Sequence, residues 1–418
     1  MATDFDGDIS EEVVTDTLAE NGKQSDCKFR IIEGGDGESF REVSTDELKK
    51  YIQLRLSETA HLSVLLGSGS SLPAIPQMKT TFAEYKSKNP AGLRPLLRKY
   101  TENPKHDPDN IETFLSWIES RINGLSNSEI RKEKQIYHDV EKRLISSISK
   151  GFLDDYNEVE KRPDNSDTHN TNQAGKTELT YETFMRRLAK LRESSRVSDD
   201  AINVFTTNYD LFVENSLDRL NYSYTDGFRH KLRPEFNIAE YSRRPVDVAR
   251  RFRDRWSPVS PFFKVYKLHG SINWLRSGKS IVRSSDWDLG NSVVIAPTSS
   301  KYADTQGSPF SDLFRELSVE LLKPNTTLIV NGFGFGDEHI NELLRQALSR
   351  DDFAMTAFVN NREENVKAFM NKVSGNPKAT FITNGEGNSS AHYFSTLASL
   401  LAFEDPFENH DSEAENGK

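Results

Sequence analysis

The chain has 418 residues, a hydrophobic fraction of 35% and a formal charge of −10. That length allows one large domain or two of moderate size, and no apolar run reaches the roughly 18 residues that a bilayer-spanning helix needs. A single cysteine, Cys27, excludes an internal disulfide and any zinc site built on two or four cysteines of this chain.

The charge is concentrated at the ends. Residues 1–26 carry eight acids and one lysine, residues 404–418 carry six acids and one lysine, and the body between them is left at +2. Both ends are expected to be solvated, disordered tails around a folded body at 27–403. The first lacks the apolar core of a secretory signal, so a cytoplasmic protein is expected. Bulk charge gives no reason to expect nucleic-acid binding, and the nine scattered histidines form neither H-x-H nor H-E-x-x-H, so no metal site is expected.

In chain order, 27–43 reads as a hairpin around Glu33-Gly34-Gly35-Asp36-Gly37. Ser44-Thr45-Asp46-Glu47 is a capping box opening a helix to about Glu58. The run Leu62–Leu66 is too short for a helix, ends at Gly67, and reads as a buried strand. Residues 82–200 read as a mainly helical insert, with Ile111, Phe114, Leu115, Ile118 and Ile122 at helical spacing and a polar loop at 161–176. A second strand at Ile202–Phe205 precedes a helix at Leu211–Leu220. An irregular, arginine-rich insert spans 229–258. A third strand, Phe262–Leu268, and a fourth, near Val293–Ala296, follow. Thereafter helices alternate with strands at Thr326–Val330, Ala354–Val359 and Thr380–Ile382. The pattern predicts an α/β fold: a Rossmann-like, doubly wound parallel sheet with a smaller, mainly helical module.

In such sheets ligands sit beyond the carboxyl ends of the strands. The first strand is followed by Gly67-Ser68-Gly69-Ser70-Ser71, where glycines permit close backbone approach to a phosphate or simply make a turn. The second is followed by Thr206-Thr207-Asn208-Tyr209-Asp210, a polar cluster of which helix capping accounts for one member. The third is followed by His269-Gly270, a histidine at a strand end, either a structural residue or a general base. The fifth is followed by Gly332-Phe333-Gly334-Phe335-Gly336-Asp337, a second glycine turn with Asp337 placed to cap the next helix. The sixth is followed by Asn360-Asn361, which meets a ribose or caps a helix.

The order GSGSS, TTNYD, KLHGS, GFGFGD, VNN over roughly 61–360 resembles the sirtuin-like NAD-binding domain. The resemblance implies that Gly67, Ser68, Gly69, Ser70 and Ser71 hold the NAD pyrophosphate. It places Thr206, Asn208 and Asp210 at the nicotinamide ribose and makes His269 the base on its hydroxyls. Gly332, Gly334 and Gly336 then lie against the nucleotide, with Asn360 near the adenosine ribose. The chain departs from sirtuin deacylases in having only Cys27, which implies that the four-cysteine zinc ribbon is missing and that no zinc is bound. It also continues GSGSS with Leu72-Pro73-Ala74-Ile75-Pro76 rather than the usual run. These departures resemble bacterial antiphage effectors that hydrolyse NAD, most closely the sirtuin-like partner of a HerA-type ATPase.

That resemblance implies an NAD glycohydrolase. Cleavage of the nicotinamide bond develops oxocarbenium character, nicotinamide leaves as a neutral group, and Asn208 and His269 position and activate the nucleophile. It also implies a gate: a homo-oligomer, a hexameric HerA-type partner, and contact with nucleic acid only through that complex. The segment 229–255 holds nine Lys/Arg against Glu235, Glu240, Asp247 and Asp254, either a docking surface or an internally paired insert. An NAD-dependent protein deacylase and a non-catalytic NAD or ADP-ribose sensor are the alternatives.

Overall fold

Side-chain alternation along the strands sets the architecture. In β3, His61–Leu66, the residues Leu62, Val64 and Leu66 pack on one face of a sheet and Leu65 on the other. A strand apolar on both faces must be covered on both. The structure, a computed structural model, describes residues 28–35, 39–122, 127–160, 175–194, 201–252, 255–284, 292–295, 307–386, 388 and 390–402. The acidic ends, Cys27 and most of the expected loop at 161–176 lie outside the described residues.

The strands of the main sheet are β1 (Phe29–Glu33), β2 (Arg41–Val43), β3, β4 (Ile202–Thr206), β5 (Ser223–Thr225), β8 (Phe262–Lys267), β12 (Thr326–Asn331), β13 (Phe353–Phe358) and β14 (Ala379–Asn384). They lie in the order β2-β1-β14-β13-β12-β3-β4-β8-β5. All pairs from β14 to β5 are parallel, while β1 and β2 add antiparallel at one edge. Starting at β3, the chain winds outward through β4 to β8, then returns to start again at β12 on the other side of β3. That is the doubly wound order, and its switch point lies between β3 and β12.

Helices cover both faces. On one lie α1 (Thr45–Ser57), α6 (Lys176–Ser194), α7 (Phe212–Arg219) and α11 (Phe394–Leu400). On the other lie α8 (Phe310–Leu321), α9 (Glu338–Leu348) and α10 (Glu364–Lys372). The expected capping box is present: Ser44 Oγ accepts from Glu47 N–H, and Glu47 Oε2 accepts from Ser44 N–H at 2.8 Å.

The helical block between β3 and β4 divides in two. Helices α2 (Met78–Ser87), α3 (Leu93–Thr101), α4 (Ile111–Ile122) and the first part of α5 (Asn127–Glu160) build their own core around Phe82, Tyr100, Phe114 and Ile118. Helix α6 instead buries Tyr181, Phe184, Met185 and Leu188 in the core of the sheet. So the insert expected at 82–200 is a small helical module followed by a sheet-covering crossover helix.

Two expectations are corrected. The segment expected to add a fourth parallel strand is β11 (Ser292–Val294), which joins β9 (Gly270–Ser277) and β10 (Ser280–Arg283) in a separate antiparallel sheet. The cause is the turn at Gly270, φ +85°, which starts β9 directly after His269. The chain therefore pairs as a hairpin, because a parallel addition needs a long crossover. The arginine-rich insert is not wholly irregular: β6 (Val246–Phe252) pairs with β7 (Arg255–Pro258). It is partly self-paired, with Glu240 facing Arg229 and Arg243.

Helix α6 carries a buried acid. Glu178 is 0% exposed, its Oε1 accepts from Asn215 at 2.8 Å, and its Oε2 has no partner among the described residues. Burial pushes its carboxyl up to about 8. The unfolded chain releases this proton near pH 4.5 and the folded chain near 8, so stability falls across that window as pH rises. Glu178→Gln is therefore expected to raise the melting temperature above pH 8, by an amount corresponding to a few kcal/mol at most. The two chains should melt together near pH 4, and a melting curve at each pH checks it.

Candidate active site

The two glycine turns meet at the switch point, backbone against backbone. A Cβ on Gly67 would stand 2.4 Å from Gly332 O, one on Gly69 2.8 Å from Gly332 Cα, and one on Gly332 2.3 Å from Ser70 N. Gly69 N–H donates to Gly332 O at 3.0 Å and Gly67 N–H to Asn331 O at 3.0 Å. Ser70 Oγ donates toward Asn331, 3.1 Å from its carbonyl and 3.0 Å from Oδ1. Gly67, Gly69 and Ser70, expected at the pyrophosphate, thus lock against Gly332, expected to lie against the nucleotide.

Above the turns lies a cavity of about 370 Å³. Its floor takes Ser68, Ser71, Asn208, Asp210, His269, Gly332, Gly334 and Gly336 from the sheet side. Its roof comes from the helical module, with Met78 and Thr81 of α2, Glu112 of α4, and Glu141, Leu144 and Ile148 of α5. The crossover out of β3 thus returns over the crevice and forms one of its walls.

Asn208 is held at two points. Its Nδ2 is 2.9 Å from Gly67 O and 2.9 Å from Ser71 Oγ. A carbonyl only accepts, so the amide nitrogen must face it, and Oδ1 is left to receive a hydroxyl or water. Ser71 Oγ donates to Asp210 Oδ2 at 2.8 Å and so must accept from Tyr181 OH at 3.0 Å. Its hydroxyl is saturated. Asp210 is 3% exposed, also accepts from Phe212 N–H, and its backbone carbonyl receives Lys267 Nζ. Burial raises the Asp210 carboxyl, partly offset by Lys267. Thr206 lies below, 1% exposed, its Oγ1 accepting from Asn208 N–H at 3.0 Å.

His269 faces the same cavity. Its Nε2 lies 3.0 Å from Asp337 Oδ2, while Asp337 Oδ1 caps α9 by accepting from His339 N–H and Ile340 N–H. A carboxylate accepts, so Nε2 carries the proton of the neutral ring and Nδ1 holds the lone pair. Such a base with an orienting carboxylate is the arrangement that activates a nucleophile in many hydrolases.

Eight of the thirteen expected site residues line the cavity; Gly67, Gly69, Ser70 and Thr206 support it from beneath. Asn360 is not part of its lining: its Oδ1 accepts from Arg362 N–H at 3.1 Å. In the sequence Asp337 stands out only as a cap, 68 residues from the His269 it pairs with. Thr207, Tyr209 and the roof residues were not singled out, since nothing local marks which helical side chains fold back over a crevice.

Residues 202–375 match the SIR2-like domain. The matched span runs from β4 through α10 and includes Asn208, His269, the second glycine turn and Asp337. A SIR2-like domain is one that binds and processes NAD, and the doubly wound sheet with its crevice at the switch point is the matching α/β fold. No curated protein matches the chain. Among the described residues no group of three or more His, Cys, Asp or Glu is placed to hold a metal ion, and no helix is long and apolar enough to cross a membrane.

Proposed function

We propose that the chain is an NAD glycohydrolase, cleaving the nicotinamide–ribose bond to give nicotinamide and ADP-ribose. The observation that carries this reading is the shared cavity wall, where the Asn208 amide and the His269–Asp337 pair line one roofed space at the switch point. A cavity of 370 Å³ is in the range of small-ligand sites. Asn208 Oδ1 orients the ribose hydroxyl or the attacking water. His269 takes up the proton of that nucleophile, and Asp337 steadies the imidazolium that results. Glu112 and Glu141 of the roof lie beside the site where the sugar becomes cationic; burial pushes the Glu141 carboxyl up, and His138 offsets part of this.

The same reading makes the chain an oligomeric bacterial antiphage effector that depletes NAD and is gated by a HerA-type ATPase. What supports this is the motif order, GSGSS, TTNYD, KLHGS, GFGFGD and VNN, in a sequence with a single cysteine. A protein deacylase would release nicotinamide only with an acylated peptide present. The test is to incubate the pure chain with NAD alone, with NAD and an acylated peptide, and with NAD and a HerA-type ATPase, and to follow nicotinamide and ADP-ribose by chromatography. The proposal expects both products without any peptide. Binding without turnover in every condition, or turnover only with acyl peptide, would reject it.

Asp337→Asn isolates the carboxylate. Asparagine caps a helix as well as aspartate does, so the melting temperature should change little. NAD cleavage should fall at least about tenfold, because the charge that orients the imidazole is gone. Steady-state rates beside a melting curve check both halves.

A further inference from the structure

The arginine-rich insert raises a two-stranded ribbon, β6 and β7, from the body. It is rooted between Tyr241, buried with its ring 4.1 Å from that of Tyr266, and Phe262 at the start of β8. From Ser242 to Arg251 every residue is exposed except Arg244 and Asp247, which are half-buried. Two strands alone are marginal in water unless an apolar face is covered. This ribbon has such a face, and it is exposed among the described residues. Val246 pairs with Pro258 and Arg251 with Trp256, so Val246, Trp256 and Pro258 share one side, with Val248 two residues from Val246. Val246 is 45% exposed, Val248 73% and Trp256 45%. The Arg251 guanidinium lies 5.0 Å over the Trp256 ring.

Arginines rim this stripe. Arg243 meets Glu240 and Arg250 meets Asp247, yet their side chains stay 65% and 82% exposed. An exposed apolar stripe with a basic rim fits an acidic partner that carries apolar side chains, which a phosphate backbone does not. The chain itself holds such a segment: residues 403–415 set six acids around Phe403 and Phe407. We propose that this segment covers the ribbon of its own chain, with its phenylalanines on Val248 and Trp256 and its carboxylates toward Arg243, Arg250 and Arg251.

The path is short enough. Helix α11 ends at Leu400 and packs against α6 and the turn Ser68–Ser71 beyond β3. From β3 the sheet runs through β4 and β8 to β5, which is about 15 Å at the usual strand spacing. A segment from 403 to 415 reaches up to about 45 Å when extended. The other acidic end, 1–26, precedes β1, which lies on the far side of the sheet from β8, so 403–415 starts nearer the ribbon. This docking does not depend on the NAD reading.

The experiment is hydrogen exchange of the full chain, read by mass spectrometry at low salt and at about 0.5 M salt. At low salt, amides of both 246–258 and 403–415 should exchange slowly. Replacing Phe403→Ser and Phe407→Ser together should speed exchange in the ribbon at least about fivefold. Replacing Val248→Ser and Trp256→Ser together should speed exchange in 403–415 by a similar factor, and high salt should weaken both protections. Val248 and Trp256 are exposed, so a melting curve should show the body of that variant unchanged. Exchange of 403–415 at the rate of the free peptide, or ribbon exchange indifferent to the phenylalanine changes, would overturn the proposal. So would protection that grows with protein concentration, which puts the segment of a second copy there, or ribbon protection that appears only with duplex DNA. None of these readouts uses NAD turnover, so failure here is distinct from failure of the glycohydrolase reading.

Discussion

His269→Ala is expected to leave at most a few per cent of NAD cleavage while the chain stays folded. A positioned base contributes about 10²–10⁴-fold, and His269 is the imidazole that both lines the cavity and is oriented by a carboxylate. The ring touches Phe314 only at a centroid separation of 6.3 Å, and its backbone bond, Ile295 N–H to His269 O, survives the change. Asp337 keeps its capping bonds to α9. Single-turnover rates with a parallel melting curve check the two halves. Near-wild-type cleavage would remove His269 from the mechanism.

Gly332→Ala is expected to cost the most stability. The residue sits at φ +66°, and a Cβ would lie 2.3 Å from Ser70 N and 2.6 Å from Ser70 Oγ. Ser70 N and Gly69 C, at 2.8 Å, are backbone atoms that cannot turn aside, so the two turns must separate. Backbone strain and the clash together cost on the order of 2–4 kcal/mol. Activity should fall with it, because Ser71, on the displaced turn, holds Asn208 at 2.9 Å. Gly334→Ala is the contrast: its nearest neighbour is Glu363 Oε2 at 3.5 Å, an ordinary contact. That variant should melt with the wild type. Chemical denaturation of the three chains reads the difference.

The same turns show what a sequence reveals and what it hides. Gly67 and Gly332 stand out as glycines after apolar strands, and their placement at strand ends was legible. Their reason was not. A phosphate cradle and a close approach of two turns both require glycine, and the partner of Gly67 is 265 residues away. The alternation of short apolar runs with helices gave the parallel sheet, because that pattern is local. The antiparallel edge was hidden: β1 pairs with β14 through Phe29 and Asn384, a contact with no local mark. The apolar run Val293–Ala296 reads alike in a parallel or an antiparallel sheet, and the turn at Gly270 decides which. Asp337 was visible as a cap, and only the fold brings it to His269.

The proposed reaction requires that Asn208 and His269 face the same ribose. The direct measurement is a crystal structure of the His269→Ala chain with NAD bound. The nicotinamide ribose should lie beside Asn208 Oδ1, in the space vacated by the imidazole and under the roof of α5, with the glycosidic bond intact. A dinucleotide lying elsewhere on the protein, or one whose nicotinamide end points away from Asn208 and Asp337, would contradict it.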